Sequence, residues 1–140
     1  MSGFLLDTNI LSELVKPHPD GKVVRWIEDA EESLLFLSVL TLGGIRKGIM
    51  SLPAGTRRGR LESWLHGDLR ARFEDRILPI DAAIADRWGA IAALAAAAGA
   101  PVPVIDGLLA ATAIHHNLTL VTRNTSDVGA TGVAVLNPWL

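Results

Sequence analysis

Residues 3–15 read GFLLDTNILSELV. Phe4, Leu5 and Leu6 make a short apolar run bounded by Gly3 and Asp7, which suits a buried strand. Ile10, Leu11, Leu14 and Val15 then fall at helical spacing until Pro17 stops the pattern. A buried strand, an acidic residue and a helix open an α/β unit, and the same alternation runs through the chain. Residues 22–32, with Val23, Val24, Trp26 and Ile27 apolar, form a helix that starts after Pro19-Asp20-Gly21. Residues 33–39 (SLLFLSV) are a second strand, and residues 40–50 return to helical spacing. A longer helix pattern covers residues 59–75, with Leu61, Trp64, Leu65, Leu69 and Phe73 on one face. Residues 76–80 (RILPI) are a short third strand whose Pro79 marks an end or an edge. Asp81 is placed to cap a helix over residues 82–98. Its Ala-rich end reads as buried, stopped by Gly99 and Pro101. Asp106 opens a helix over residues 106–116, residues 119–122 (TLVT) form a strand, and residues 133–136 form the last. The strands are continuous apolar runs, so the fold class is α/β: a central parallel β-sheet flanked by α-helices.

The 140 residues are the size of one domain, 1–140. Hydrophobic residues make up 49% and aromatics only 5%, so the core is mostly aliphatic. There is no Cys, which excludes disulfides, thiolate metal sites and a Cys nucleophile. The N-terminus lacks the basic start and cleavage site of a signal peptide, and the longest apolar run, around residues 90–100, is too short to span a bilayer. A cytoplasmic location without membrane contact is the expectation. The net charge is −2, so any contact with nucleic acid must come from a local basic patch or from metal ions that offset acids.

The acids fall at strand ends, where parallel α/β folds place their working residues. Asp7 follows the first strand, Asp106 opens a helix after VPVI, and Asn124 and Asp127 follow TLVT. Each has an ordinary reading by itself: Asp7 or Thr8 as a turn or cap, Asp106 as an N-cap, Asp127 as a solvated loop residue. Carboxylates gathered at one sheet end repel each other and call for a hard cation with oxygen ligands, Mg²⁺ or Mn²⁺. Such an ion beside water suits phosphodiester hydrolysis. A P-loop reading fails because no GxxxxGK[ST] occurs. A phosphorylated receiver domain needs a Lys at a late strand end, and none follows Lys47.

Three segments, LLDTNILSEL (residues 5–14), SVLTLGGIRKGI (38–49) and IDGLLAATAIHHNLTLVTRNTSDV (105–128), resemble the successive motifs of PIN-domain proteins, most closely bacterial toxins of the VapC/FitB type. The resemblance implies a PIN fold, Mg²⁺- or Mn²⁺-dependent endoribonuclease activity on RNA, and inhibition by a VapB-like antitoxin. It also implies a homodimer within a hetero-oligomeric complex that touches DNA only through the antitoxin. By this likeness Asp7, Asp106 and Asp127 are the metal-binding and catalytic acids. Asn124 matches a polar position of the same loop. Asn9 and Thr122 orient the acids or the bound water, and Ser38 and Thr41 are candidates for the same shell.

One position departs from the pattern. The family's second motif usually reads GEIRKG, and Gly44 stands where its Glu would be. A glycine inside a helix costs about 1 kcal/mol relative to Ala, and no packing need for it is visible in the sequence. Gly44 therefore reads as an inactivating substitution or a degenerate site, partly compensated if Glu13 points into the same cleft. The expectation is weakened nuclease activity; the alternative is an inert PIN-like module acting only through its antitoxin–DNA complex. Arg46, Lys47, Arg57 and Arg58, with Arg60, are either RNA-backbone contacts or solvated surface. His115 and His116 point in different directions on a helix and read as surface, while Trp26, Trp64, Trp88 and Trp139 read as core or interface. The stripe Leu61, Trp64, Leu65, Leu69 is core by default and otherwise a groove for an antitoxin helix.

Overall fold

Side chains alternate along a strand, and here that alternation builds two apolar layers. In the computed structural model, which describes residues 2–140, strand β1 (Phe4–Leu6) sends Leu6 into one layer and Leu5 into the other. Leu35 and Leu37 of β2 (Leu35–Ser38) join Leu6, while Phe36 packs with Leu5. With β3 (Ile77–Leu78), β4 (Thr119–Val121) and β5 (Val135–Leu136), these form a sheet ordered β3-β2-β1-β4-β5, with every pairing parallel. The expected parallel sheet, covered on both faces, is what the chain forms.

The first layer is closed by α1 (Thr8–Leu14), α2 (Gly21–Asp29), α3 (Val39–Met50) and the long segment that begins with α4 (Thr56–Ser63). That segment continues as a π-helical stretch, Trp64–Leu69, into a final turn, α5 (Arg70–Arg72). The second layer holds Leu109 and Ala113 of α7 (Val104–His115), against which α6 (Ala82–Ala97) packs. The chain leaves β1 toward β2 and β3, then returns to the other side of β1 for β4 and β5. The order reverses between β1 and β4, and the crevice beyond their carboxyl ends is where such sheets hold ligands.

Several boundaries differ from the sequence expectations. Residues 33 and 34 belong to a 3₁₀ turn, Glu32–Leu34, whose Glu32 carboxylate is held by Arg72 and Arg76. The strand over residues 33–39 therefore begins later, and Ser38 ends it by capping α3. The third strand shrinks to two residues between a 3₁₀ turn and Pro79. Helix α7 begins at Val104 rather than Asp106: Pro103 (φ −54°, ψ 144°) is the extended residue just before its first turn, and its carbonyl accepts the Gly107 N–H. Asp106 is thus not the cap but a first-turn residue. The Ala-rich end of α6 is not buried: Leu94 is 72% exposed and only Ala95 turns inward. Alanines offer too little apolar area to draw a second layer over that end.

Asp81 does cap α6, accepting from the Ile84 backbone N–H at 2.9 Å. Asp81→Ala should lower unfolding free energy by about 1 kcal/mol. Urea denaturation should show a lower midpoint with an unchanged slope.

Candidate active site

Asp7 is the residue at which β1 becomes α1, and it serves both elements. Its backbone N–H extends the sheet by donating to Val121 O at 3.0 Å. Its Oδ1 accepts from the Thr8 N–H at 2.7 Å, capping α1. Its Oδ2 accepts from the Thr122 hydroxyl at 2.7 Å and, more weakly, from Asn9 Nδ2 at 3.4 Å. Thr122 Oγ1 in turn accepts from Asn9 Nδ2 at 3.3 Å and from the Asn124 N–H at 3.0 Å. Thr122 is 1% exposed. One hydroxyl thus joins the ends of β1 and β4 and starts the loop that carries Asn124 and Asp127.

Burial pushes the Asp7 carboxyl above the usual carboxylate range, opposed by the Thr122 hydroxyl and the Thr8 N–H. Asp106 is also pushed up, first by burial, then by the negative charges of Asp7 and Asp127. Asp106 accepts no side-chain hydrogen bond among the described residues. It meets the other acids with nothing but the helix to aim it. The turn that brings Asp127 close is closed by its N–H on Asn124 O at 3.2 Å, and both side chains are exposed.

The three acids do not form a closed ligand set: among the described residues, no three acidic or imidazole groups are placed to hold an ion between them. The chemistry still fits a hard cation. The donors are all oxygens, two carboxylates repel each other, and Asn9 Oδ1 is a buried acceptor with no protein partner. Mg²⁺ keeps several waters and commonly takes only one or two carboxylates.

Ser38 and Thr41 have structural duties. Ser38 Oγ accepts from the Leu40 N–H at 3.0 Å, and the Thr41 hydroxyl donates to Leu6 O at 3.2 Å, pinning α3 to the last residue of β1. One turn further along α3, Gly44 lies against α1. A Cβ built there would stand 2.6 Å from Thr8 Oγ1 and 3.3 Å from Thr8 Cγ2. This corrects the view that no packing asks for the glycine: α1 and α3 meet here through Thr8, which the sequence suggested only as a turn or cap. Its signal was the glycine itself, at a helix position with no conformational need. Glu13 does not compensate. Its carboxylate binds Lys16 Nζ and the Asp20 N–H, both at 2.9 Å, and these bonds hold it below the usual range.

The basic cluster divides. Arg58 donates to Glu62 at 3.2 Å and Arg46 stands 3.8 Å from the same carboxylate, so the two share one acid and the trio keeps a net positive charge. Lys47 and Arg57 are exposed, without an ion pair among the described residues. Arg57 and Lys16 edge a cleft of about 240 Å³ between α1, α3 and α4, whose apolar wall includes Ile45, Ile49, Leu61 and Trp64. Gly44 also lines it, but none of the three acids does. Leu65 and Leu69, from the same stripe, are core. His115 and His116 stack edge to face with each other, apart from the acids.

Thr122→Val removes the hydroxyl that supports the buried carboxylate. Near neutral pH the loss should be about 1.5–3 kcal/mol, as for a hydrogen bond to a charged group. The missing donor raises the folded-state pKa of Asp7 further, so the deficit is full above that pKa. It shrinks as pH falls through it, because protonation removes the unsupported charge. Denaturant titrations across that pH range check both the size and the trend.

Residues 4–126 match the family model described as PIN domain. The chain is 36% identical over 135 residues to VapC ribonuclease Y4jK of Sinorhizobium fredii, covering 96% of each protein. It is 37% identical over 135 residues to Toxin FitB of Neisseria gonorrhoeae, covering 96% of this chain and 97% of that one. Its fold superposes with a TM-score of 0.93 on a structure of FitAB bound to an IR36 DNA fragment, at 35% identity, covering 98% of this chain and 96% of the other.

Proposed function

The chain belongs to the PIN-domain family, and we propose that it is a toxin of the VapC/FitB type. In this reading it is a metal-dependent endoribonuclease with a weakened site, held by a VapB-like antitoxin. The observation that supports the reading is the position of Asp7 directly after β1 and of Asp127 in the loop after β4, the two strands between which the order reverses, with the Asp106 carboxyl raised by burial and then by both their charges.

Asp7 and Asp106 would hold the ion, Mg²⁺ or Mn²⁺, with Asp127 and Asn124 of the loop after β4 as further oxygen donors. When bound, the ion neutralises phosphate charge and acidifies a water that can attack phosphorus. The remaining work belongs to the protein. Thr122 and the Thr8 N–H fix Asp7, one oxygen committed to α1 and the other to the hydroxyl at the end of β4. Asn9 Nδ2 braces both Asp7 Oδ2 and Thr122 Oγ1. Lys47 and Arg57, free of acidic partners, are the cations we assign to the RNA backbone.

Gly44 leaves the α3 side of this site without a carboxylate. Removing a group that supports a metal site commonly costs 10- to 100-fold in affinity or activity. Restoring it is not a simple reversal, because Thr8 occupies the space a side chain at position 44 would enter. Cleavage of total RNA and tRNA with Mn²⁺ should be slow for the unaltered chain and at least about tenfold faster for Gly44→Glu combined with Thr8→Ala. Equal, robust cleavage by both would remove the claim of a weakened site. No cleavage by either would favour an inert module that works through its complex.

The cleft edged by Lys16 and Arg57 is the seat we assign to the antitoxin, with DNA reached only through that partner. An apolar wall with basic edges suits an amphipathic segment carrying acidic residues. Trp64→Ala with Leu61→Ser should weaken antitoxin binding at least about tenfold, as expected for aromatic anchors. Calorimetric titration of the purified pair measures it, and unchanged affinity would move the seat elsewhere.

A further inference from the structure

Of the four tryptophans, three have packing roles in the main core: Trp139 lies within it, and Trp26 and Trp64 pack against it. Trp88 belongs to neither apolar cluster. It stands in the middle of α6, half-buried, and its indole edge is set against the backbone of α7 at Gly107. A Cβ at Gly107 would stand 3.0 Å from Trp88 Nε1, 3.1 Å from Cδ1 and 3.7 Å from Val102 Cγ1. The glycine is therefore a notch, and the indole fills it.

The notch sits one residue after Asp106. Successive side chains on an α-helix diverge by about 100°, so a ring locked over position 107 fixes the rotation of the turn that directs position 106. Asp106 has no side-chain hydrogen bond to aim it, unlike Asp7, which has three donors. The first turn of α7 also lacks a side-chain cap, since Pro103 precedes it. Gly107 N–H bonds to Pro103 O at 2.8 Å, so displacing Gly107 would disturb the helix start itself.

We propose that Trp88, seated in the Gly107 notch, is a positioning residue that aims the Asp106 carboxylate into the crevice shared with Asp7. Such a role presupposes that Asp7 and Asp106 hold the divalent ion. Trp88 touches neither ion nor RNA; it acts through the backbone of α7.

The test is Mn²⁺ binding by isothermal titration calorimetry on the full chain, alongside thermal unfolding. Trp88→Ala and Gly107→Ala should each weaken Mn²⁺ binding at least about tenfold, the scale at which groups behind the ligands act. Trp88→Phe, which keeps a ring in the notch, should restore most of the affinity. Ile84→Ala empties a fully buried position on the same helix; it should lower the unfolding temperature while leaving Mn²⁺ affinity unchanged. The proposal is overturned if Trp88→Ala and Phe variants bind Mn²⁺ like the unaltered chain, or if affinity simply follows unfolding temperature across all variants. If the unaltered chain fails to bind Mn²⁺, the metal reading of Asp7 and Asp106 falls, and the role of Trp88 falls with it.

Discussion

The buried carboxylate of Asp7 is the constraint on which the rest of this molecule depends. It sits at the end of the central strand, where an ionised group is costly to bury without partners. Thr8 at the start of α1 and Thr122 at the end of β4 supply donors from two directions. The Thr122 contact spans most of the chain and joins neighbouring strands at the sheet's reversal point. Holding one charge in place therefore also fixes how β1, α1 and β4 end relative to one another. Asp106 and Asp127 belong to separate elements, the first turn of α7 and the loop after β4.

The two sides of the crevice are built differently. Asp7 is held by hydrogen bonds, which define its direction closely. Asp106 is held only by its place on a helix, so its aim depends on how that helix is seated. On the α3 side, the position where family members usually carry an acid is a glycine pressed against Thr8. The same close approach that makes the glycine comfortable makes a larger side chain disruptive unless Thr8 turns. The chemistry of this site is thus tied to the spacing between α1 and α3, not only to which residues bear charge.

Much of the fold was readable from the chain because its causes are local. Periodicity placed every strand and nearly every helix, and Asp81 announced the start of α6 by its own capping chemistry. Errors arose where two local signals competed. Asp106 looked like a cap, but the helix had already begun at Val104, directly after Pro103. The Ala-rich end of α6 looked buried because it is apolar, yet alanine has little surface to bury. The π-helical stretch Trp64–Leu69 left no signal, since its apolar spacing also fits an ordinary helix.

The sequence by itself determined the parallel α/β architecture, the positions of Asp7 after β1 and Asp127 in the loop after β4, and the oddity of Gly44. These follow from hydrophobic spacing and from motifs a few residues long. The strand expected before Asp106 does not form, and Asp106 lies in the first turn of α7. Only the tertiary structure decided that the acid Thr122 supports is Asp7, that Glu13 is spent on Lys16 and Asp20, that Arg46 and Arg58 share Glu62, and that Thr8 and Trp88 fill the spaces at Gly44 and Gly107. The pairs Arg58–Glu62 and Glu13–Lys16 lie one helical turn apart, but the contacts of Thr122 with Asp7, Arg46 with Glu62, Thr8 with Gly44 and Trp88 with Gly107 join different elements. The distances of the latter are set by strand order and helix separation, quantities that no local pattern encodes.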